Sequence, residues 1–496
     1  MTLLHRFRKR RFIVAAAVAT AVLPALAATP AMATAAPAGP SQASAANYKH
    51  ACPLGKPGTM ACMALIRTDI HGAGIRLAGP SPNGYTPADL AAAYHLNTVG
   101  GTGQTVAIVD AYDDPNAASD LAVYRSQFGL PPCTTANGCF QELNQEGAAS
   151  PLPNLPPPVL SGWGTETSLD LDMVSAACPN CHILLVETNS QSNQDLFDGV
   201  DVATERAKFV SDSWAFPEYR GETNDDVHFN HPGTVIAFAS GDYGHDGGVF
   251  YPAASQYVVA VGGTSLFRGS GGTFTEQAWG GSGSGCSAFE PEPGWQLGPP
   301  DTHCGNRAVA DVSAVADINT GVSIYDTIDD TGWDVSGGTS AATPIITAVY
   351  ALAGPPLATD PAAFLLYRHF IGRGPTVVPP EQVLNDVTTG STGDCGAPVC
   401  DARAGWDGPT GVGTPIGTGA FVRPFAFGAI VTDDQSGAVG TAVSLTVQGR
   451  DGVTPYVWTA DGLPPGLSID SPSGLISGTP TAAGTYQVTV TGHDSA

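Results

Sequence analysis

Between residues 105 and 240 the chain alternates short, wholly apolar runs with longer stretches whose apolar side chains recur every three or four positions. Thr105 to Asp110, His182 to Glu187, Phe209 to Ser213 and Val235 to Ser240 read as buried strands. Asp113 to Phe128 and Glu166 to Ala177 read as the helices between them. Strands alternating with helices predict a parallel sheet with right-handed crossovers, hence an α/β class. In such folds the site gathers polar residues just past the C-terminal ends of strands, where Asp110, Trp214 and Asp242 fall. After about Pro424 the pattern becomes short alternating strands, Val443 to Val447 and Tyr486 to Val490, with turn-rich links such as Gly462-Leu463-Pro464-Pro465-Gly466. That is the pattern of a small all-β sandwich. Such a sandwich normally needs another strand beyond 490, so this module is expected to be incomplete.

The first 35 residues change the picture of where the chain works. A basic run (Arg6, Arg8, Lys9, Arg10, Arg11) precedes an apolar stretch from Phe12 to Ala28, then small residues around Ala31-Met32-Ala33 and Ala33-Thr34-Ala35. This predicts a cleaved signal peptide and an extracellular product. The apolar stretch is short and carries Pro24, which speaks against a membrane anchor, and no other segment is apolar enough to span a bilayer. Without that start, 15 of the 20 basic residues face 45 acidic ones, a surface that repels nucleic acid and anionic lipid. Residues 36–84, rich in Ala, Pro and Gly, are expected to form an extended lead-in rather than a domain. The expected division is thus 1–35, 36–84, 85–424 and 425–496.

Ten cysteines fall into five close neighbours: Cys52/Cys62, Cys133/Cys139, Cys178/Cys181, Cys286/Cys304 and Cys395/Cys400. In an exported chain, short-loop disulfides are the simplest pairing. Cys178-Pro-Asn-Cys181 also suits a redox pair or half a zinc site. No second Cys-x-x-Cys or His pair completes a zinc set, which favours a structural bond.

Three segments carry candidate chemistry. Ser336 to Pro344 reads Ser-Gly-Gly-Thr-Ser-Ala-Ala-Thr-Pro, a tight glycine turn before a helix expected from about Ser340 to Leu352. Ser340 would sit at the helix N-terminus, where free N–H groups favour an oxyanion, although a serine there is also an ordinary N-cap. A serine nucleophile needs a base. None of the histidines fits well: His71 precedes the Asp110 strand, His182 is expected inside a buried strand, and His228, His231 and His245 fall in loops. The helix where a base is expected instead offers Glu166 and Asp170, four apart on one face beside an apolar stripe of Leu169, Met173, Ala176 and Ala177. Such a pair also suits a solvated acidic face, which is the expectation for Asp172. The third segment is Ser240-Gly241-Asp242, where a protonated Asp242 would donate to an oxyanion, or the aspartate merely forms an Asx-turn.

Together these segments, with Phe250-Tyr-Pro-Ala-Ala-Ser and Val261-Gly-Gly-Thr, resemble the sedolisin, or serine-carboxyl peptidase, family over about residues 85 to 422. The resemblance implies a subtilisin-like fold and hydrolysis of protein or peptide substrates. It implies Ser340 as nucleophile, Glu166 as general base, Asp170 as its supporting acid and Asp242 as oxyanion donor. Asp110 aligns with a position that extends the carboxyl chain in some members, and Trp214 with a tryptophan beside it. The family's calcium site implies carboxylates from Asp386 and Asp407 and carbonyls from Val387, Arg403 and Gly405, with Arg403 standing where glycine is usual. Members typically carry a long N-terminal pro-domain. Fewer than 60 residues are available for it here, so either this branch folds without it or its activation differs. The tail, with Leu463 to Asp470 and Ser477 to Tyr486, resembles bacterial Ig-like modules, which act as spacers or surface-binding arms. The rival expectations are a histidine-based subtilase and an inactive secreted adhesion protein.

Overall fold

The computed structural model describes residues 47–69, 84–160, 162–329, 332–355, 361–371, 379–422, 428–429, 435–447, 449–450 and 457–493. The signal peptide, His71 and the 424/425 boundary lie outside the described residues. The centre is an eight-stranded sheet. Its order runs Phe274–Ala278, Val259–Arg268, Val235–Ala239, Phe209–Asp212, Thr105–Ala111, His182–Thr188, Phe140–Asn144, and Val312–Val315 also pairs with Val259–Arg268. All pairings are parallel except that of Phe274–Ala278 at one edge.

Helices cover both faces: α1 (Pro87–Ala93), α2 (Ala117–Gln127), α3 (Gly162–Ala177), α4 (Asn193–Arg206) and α5 (Thr339–Ala353). Alternate residues of Thr105–Ala111 point to opposite faces of the sheet. Val106 and Ile108 enter one core with α3 and α5, while Ala107 and Val109 enter another with α4. Helix α4 follows its pattern closely. Ser192 caps it by accepting from the Asp195 N–H, and Leu196, Val200 and Ala203 form its buried stripe.

Helix α3 departs from the amphipathic expectation. All sixteen of its residues are buried, because α1, α2, α5 and the Val322–Asp326 strand surround it. Asp172, expected in solvent, is buried and accepts a 2.9 Å hydrogen bond from the Tyr325 N–H. His182, expected in a buried strand, is the exposed first residue of its strand. His228 lies on a 3₁₀ turn rather than in a loop and pairs with Asp201, as does His231.

The lead-in is extended but does not stand apart. Ala61–Cys62 pairs antiparallel with Trp214–Pro217, and Leu65–Arg67 with Gly332–Gly337. All five expected disulfides are formed. The C-terminal module is antiparallel: Val443–Thr446 and Leu467–Asp470 flank Leu475–Gly478, and Val457–Asp461 pairs with Thr489–His493. Its last strand begins three residues later than the alternation suggested, and Val447, Trp458 and Ile476 form its core.

Candidate active site

Ser340 is the second residue of α5. The preceding Gly338 has φ +91° and ψ 167°, a conformation that only glycine adopts easily. A Cβ there would stand 2.0 Å from the Met63 carbonyl oxygen and 2.4 Å from Asp242 Oδ2. The Ser340 hydroxyl donates to the Ser213 carbonyl at 3.2 Å; it lies near enough to the Glu166 carboxyl to favour the charged form, but Glu166 Oε1 has no hydrogen-bond partner among the described residues. Pro344, one turn on, has no N–H to give the Ser340 carbonyl. That carbonyl instead lies 3.4 Å from Ser213 Oγ, whose single proton is shared between it and, at the shorter 2.8 Å, Asp170 Oδ1.

Glu166 and Asp170 project from α3 beside α5, with Asp110 at the end of the adjoining strand; all three are fully buried. Burial is the main cause that raises the Glu166 carboxyl well above its usual range, and the charges of Asp110 and Asp242 add to it. Asp170 is raised first by burial, then by Asp110 and Glu166. Burial pushes Asp110 up to about 7, although the Thr167 hydroxyl works against it. That hydroxyl donates to the Trp163 carbonyl, and neither Asp110 oxygen has a hydrogen-bond partner among the described residues. Asp212, missed in the sequence, adds a further buried carboxyl raised by burial and by Asp110. Such a set holds its protons tightly, and each ionisation opposes the next. Trp214 packs beside it, donating from its indole to the Val109 carbonyl at 2.8 Å.

Asp242 follows the Val235–Ala239 strand across Gly241, whose φ is +108°. Its Oδ1 accepts from the Thr339 N–H at 2.7 Å and the Thr339 hydroxyl at 2.8 Å. Its Oδ2, beside Gly338, has no partner among the described residues. Burial pushes this carboxyl up to about 7, so below that it carries a proton available for donation.

The structure thus brings Ser340, Glu166, Asp170, Asp110 and Asp242 together. Among the described residues no histidine is hydrogen-bonded to Ser340 or Glu166. Ser213 and Thr339 were missed as organising residues. Ser213 precedes Trp214 and Thr339 precedes Ser340, but nothing in their spacing distinguishes them from ordinary loop hydroxyls.

A second group surrounds Asp386 and Asp407. Gly405 N–H donates to Asp386 Oδ2 at 3.0 Å and Arg403 N–H to Asp407 Oδ2 at 2.9 Å. Asp407 is raised to about 7, chiefly by burial, and the neighbouring Asp386 charge adds to this. The two carboxyls repel each other, and hard oxygen donors of this kind fit calcium. Nearby, ligand atoms of His245, Cys395 and Cys400 lie within 4.8 Å of one another, but the two sulfurs are joined in a disulfide and offer no thiolate.

Residues 162–355 match the Subtilase family and residues 426–496 the family described as Putative Ig domain. The chain is 30% identical over 378 residues to kumamolisin of Bacillus sp. (strain MN-32), covering 69% of this chain and 64% of kumamolisin. It is 23% identical over 415 residues to sedolisin of Pseudomonas sp. (strain 101), covering 73% and 65%. The chain therefore spans just under two thirds of the length of these relatives. A solved structure of Pseudomonas sedolisin, a serine-carboxyl proteinase complexed with two molecules of pseudo-iodotyrostatin, is similar with a TM-score of 0.55 at 25% identity. That likeness covers 68% of this chain and 96% of the other. The resemblance to the sedolisin family holds in sequence and in fold, and the C-terminal module is Ig-like.

Proposed function

We propose that this relative of kumamolisin and sedolisin is a secreted serine-type endopeptidase that works in acid with a Ser-Glu-Asp mechanism. The observation that carries the reading is the gathering of the buried carboxyls of Glu166, Asp170 and Asp242 around Ser340, with no histidine among the described residues hydrogen-bonded to it. Glu166 takes the Ser340 proton, Ser340 Oγ attacks the peptide carbonyl, and Asp242 donates its proton's hydrogen bond to the oxyanion. Glu166 then returns the proton to the leaving amine, and water hydrolyses the acyl-enzyme by the reverse route. Asp170, with Asp110 behind it, supports the single negative charge on Glu166. The acidic range follows from two groups. An ordinary carboxylate stays charged where a histidine, with an ordinary pKa of about 6.5, is protonated, and in this buried set the nearby Ser340 hydroxyl and the Ala64 N–H favour the charge on Glu166 against the burial and neighbouring carboxyls that raise it. At the upper end Asp242 loses its donating proton at about 7.

The peptidase domain occupies 85–424, after a signal peptide of 1–35 that sends it outside the cell. Five disulfides fit that setting. Among the described residues no helix is long and apolar enough to cross a membrane. One structural calcium ion held by Asp386, Asp407 and the carbonyls of Val387, Arg403 and Gly405 braces the loops behind the site; it takes no part in the chemistry. The Ig-like module, 425–496, spaces the enzyme from a surface or holds it there. A pH–rate profile on casein with Glu166→Gln and Ser340→Ala alongside tests the reading. Collapse in both variants with activity confined to acid supports it. An active Glu166→Gln enzyme, or activity that peaks near neutral pH and vanishes at about pH 4, overturns it.

A further inference from the structure

Asp242 stands in a short arm between two glycines. Gly241 has φ +108° and Gly244 φ +62°, so both hinges of the Asp242–Tyr243 span lie in a region open chiefly to glycine. Thr339 holds Oδ1 of the Asp242 carboxyl, but where Oδ2 points depends on how the arm lies. Small displacements of a donor aimed at a transition state are costly, so the arm needs firm anchors. On the near side, the Gly241 N–H donates to Thr339 Oγ1 at 3.2 Å and the Gly283 N–H to the Gly241 carbonyl at 2.8 Å. On the far side, the Gly244 N–H donates to the Gly281 carbonyl at 2.8 Å. A Cβ at Gly244 would stand 2.8 Å from the carbonyl oxygens of Gly280 and Thr392, so the chain passes close to both.

The next residue closes a triangle of contacts. The His245 N–H donates to the Thr392 carbonyl at 3.0 Å. The Thr392 and Ser284 hydroxyls are 2.7 Å apart, and the Ser284 carbonyl accepts from His245 Nδ1 at 3.1 Å. Thr392 Oγ1 donates to the Cys400 carbonyl at 3.3 Å, which leaves the Ser284 hydroxyl as the donor to Thr392. Ser284 and Thr392 are buried. Three segments far apart in sequence thus meet at one imidazole: the end of the arm, the residue that leads into the Gly285–Pro291 strand, and the loop stapled by Cys395–Cys400. A carbonyl only accepts, so Nδ1 carries a proton. The contact is therefore the same whether or not Nε2 is protonated, and it persists in acid.

We propose that His245 is a positioning residue for the oxyanion donor: locked to Thr392 and Ser284, it sets the direction of the Asp242 carboxyl without touching substrate. The proposal rests on the peptidase reading above and deepens it. The oxyanion exists only while the carbonyl carbon is tetrahedral, so a misdirected Asp242 weakens binding of the transition state and not of the bound peptide. Loss of the His245 ring should therefore lower kcat and leave KM nearly alone. Where residue 242 has no carboxyl to aim, the same loss should cost little. That dependence separates a residue acting through Asp242 from one that only stabilises the fold.

The test measures hydrolysis by the purified full-length chain over a range of casein concentrations at about pH 4. His245→Ala should lower kcat by about 10- to 100-fold and change KM by less than about twofold. His245→Asn, whose amide nitrogen reaches the place of Nδ1, should recover most of that loss. In an Asp242→Ala background, His245→Ala should cost less than about threefold more. If His245→Ala does not fold, judged by circular dichroism, Thr392→Val removes the hydroxyl from the same triangle and takes its place, with Thr392→Ser as the restoring variant. An unchanged kcat in the folded variant overturns the proposal and leaves the peptidase reading standing. An equal loss with and without the Asp242 carboxyl does the same, because the residue would then not act through Asp242. No casein hydrolysis by the unmutated chain anywhere between about pH 3 and pH 7 overturns the peptidase reading and the proposal with it.

Discussion

Asp242 offers the cleanest measure of how the site handles protons. Its carboxyl is raised from 3.8 to about 7 by burial, with only the two Thr339 bonds opposing this. The folded protein therefore binds this proton more tightly than the unfolded chain does. Stability from this group is fully present below about pH 4, falls as pH rises, and is lost above about pH 7. A shift of about 3 units corresponds to about 4 kcal/mol. Asn in place of Asp242 cannot ionise, yet keeps an acceptor for Thr339 and a donor where Oδ2 lies. In a Ser340→Ala background, which prevents self-digestion, urea unfolding followed by tryptophan fluorescence at fixed calcium should show the two chains diverging with pH. Relative to its stability at about pH 3, the chain with Asp242 should lose about 4 kcal/mol more by about pH 8 than the chain with Asn. The other buried carboxyls act in both chains and cancel in the difference, except Glu166, whose carboxyl the Asp242 charge raises. Parallel pH dependences would refute the reasoning, because they would mean that Asp242 titrates alike folded and unfolded.

Further outcomes follow from other parts of the site. Glu166→Gln should lower kcat by about 10²- to 10⁴-fold with little change in peptide affinity, read from steady-state kinetics and from competition binding. The fall in kcat/KM of the mature enzyme as pH rises through about 7, from ionisation of Asp242, should disappear from the residual activity of Asp242→Asn. Gly338→Ala would place a methyl group on the Met63 carbonyl and Asp242 Oδ2 in a backbone region other residues avoid. It should cost at least about 1–3 kcal/mol in urea unfolding and abolish casein hydrolysis. Chelation of calcium should lower Tm by about 3 to 8 °C and Asp407→Asn should mimic it, with added calcium rescuing only the unmutated protein.

The parallel strands were legible because burial on both faces leaves an unbroken apolar run. Ile108, Leu185, Val210 and Ala237 lie in such runs. Glu166, Asp170, Asp242 and Ser340 were legible because they lie in local motifs at the ends of recognisable elements. Helix α3 was read only in part. Its first turn, Gly162 to Thr165, carries two glycines, which are poor helix formers, and its periodicity is blurred because it is buried on every side. Asp172 was misplaced for the same reason: a carboxyl in a buried helix needs only one well-placed amide, and the Tyr325 N–H comes from a strand 153 residues away in sequence. The docking of the lead-in was invisible, since Met60 to Ile66 has no periodicity that names its partners. Both sheet edges it joins are remote in the chain.

Helix α5 contains one deliberate-looking defect with a mechanical consequence. Pro344 deletes a rung from the helical ladder and turns the Ser340 carbonyl outward to Ser213, whose hydroxyl is shared with Asp170. The nucleophile's own peptide plane is thereby fastened to the neighbouring helix that carries the acid. A sliding of α5 along α3 would break this clasp, so the position of the nucleophile is tied to that of the acid. A residue with an N–H at 344 would restore the rung, but at the expense of that alignment.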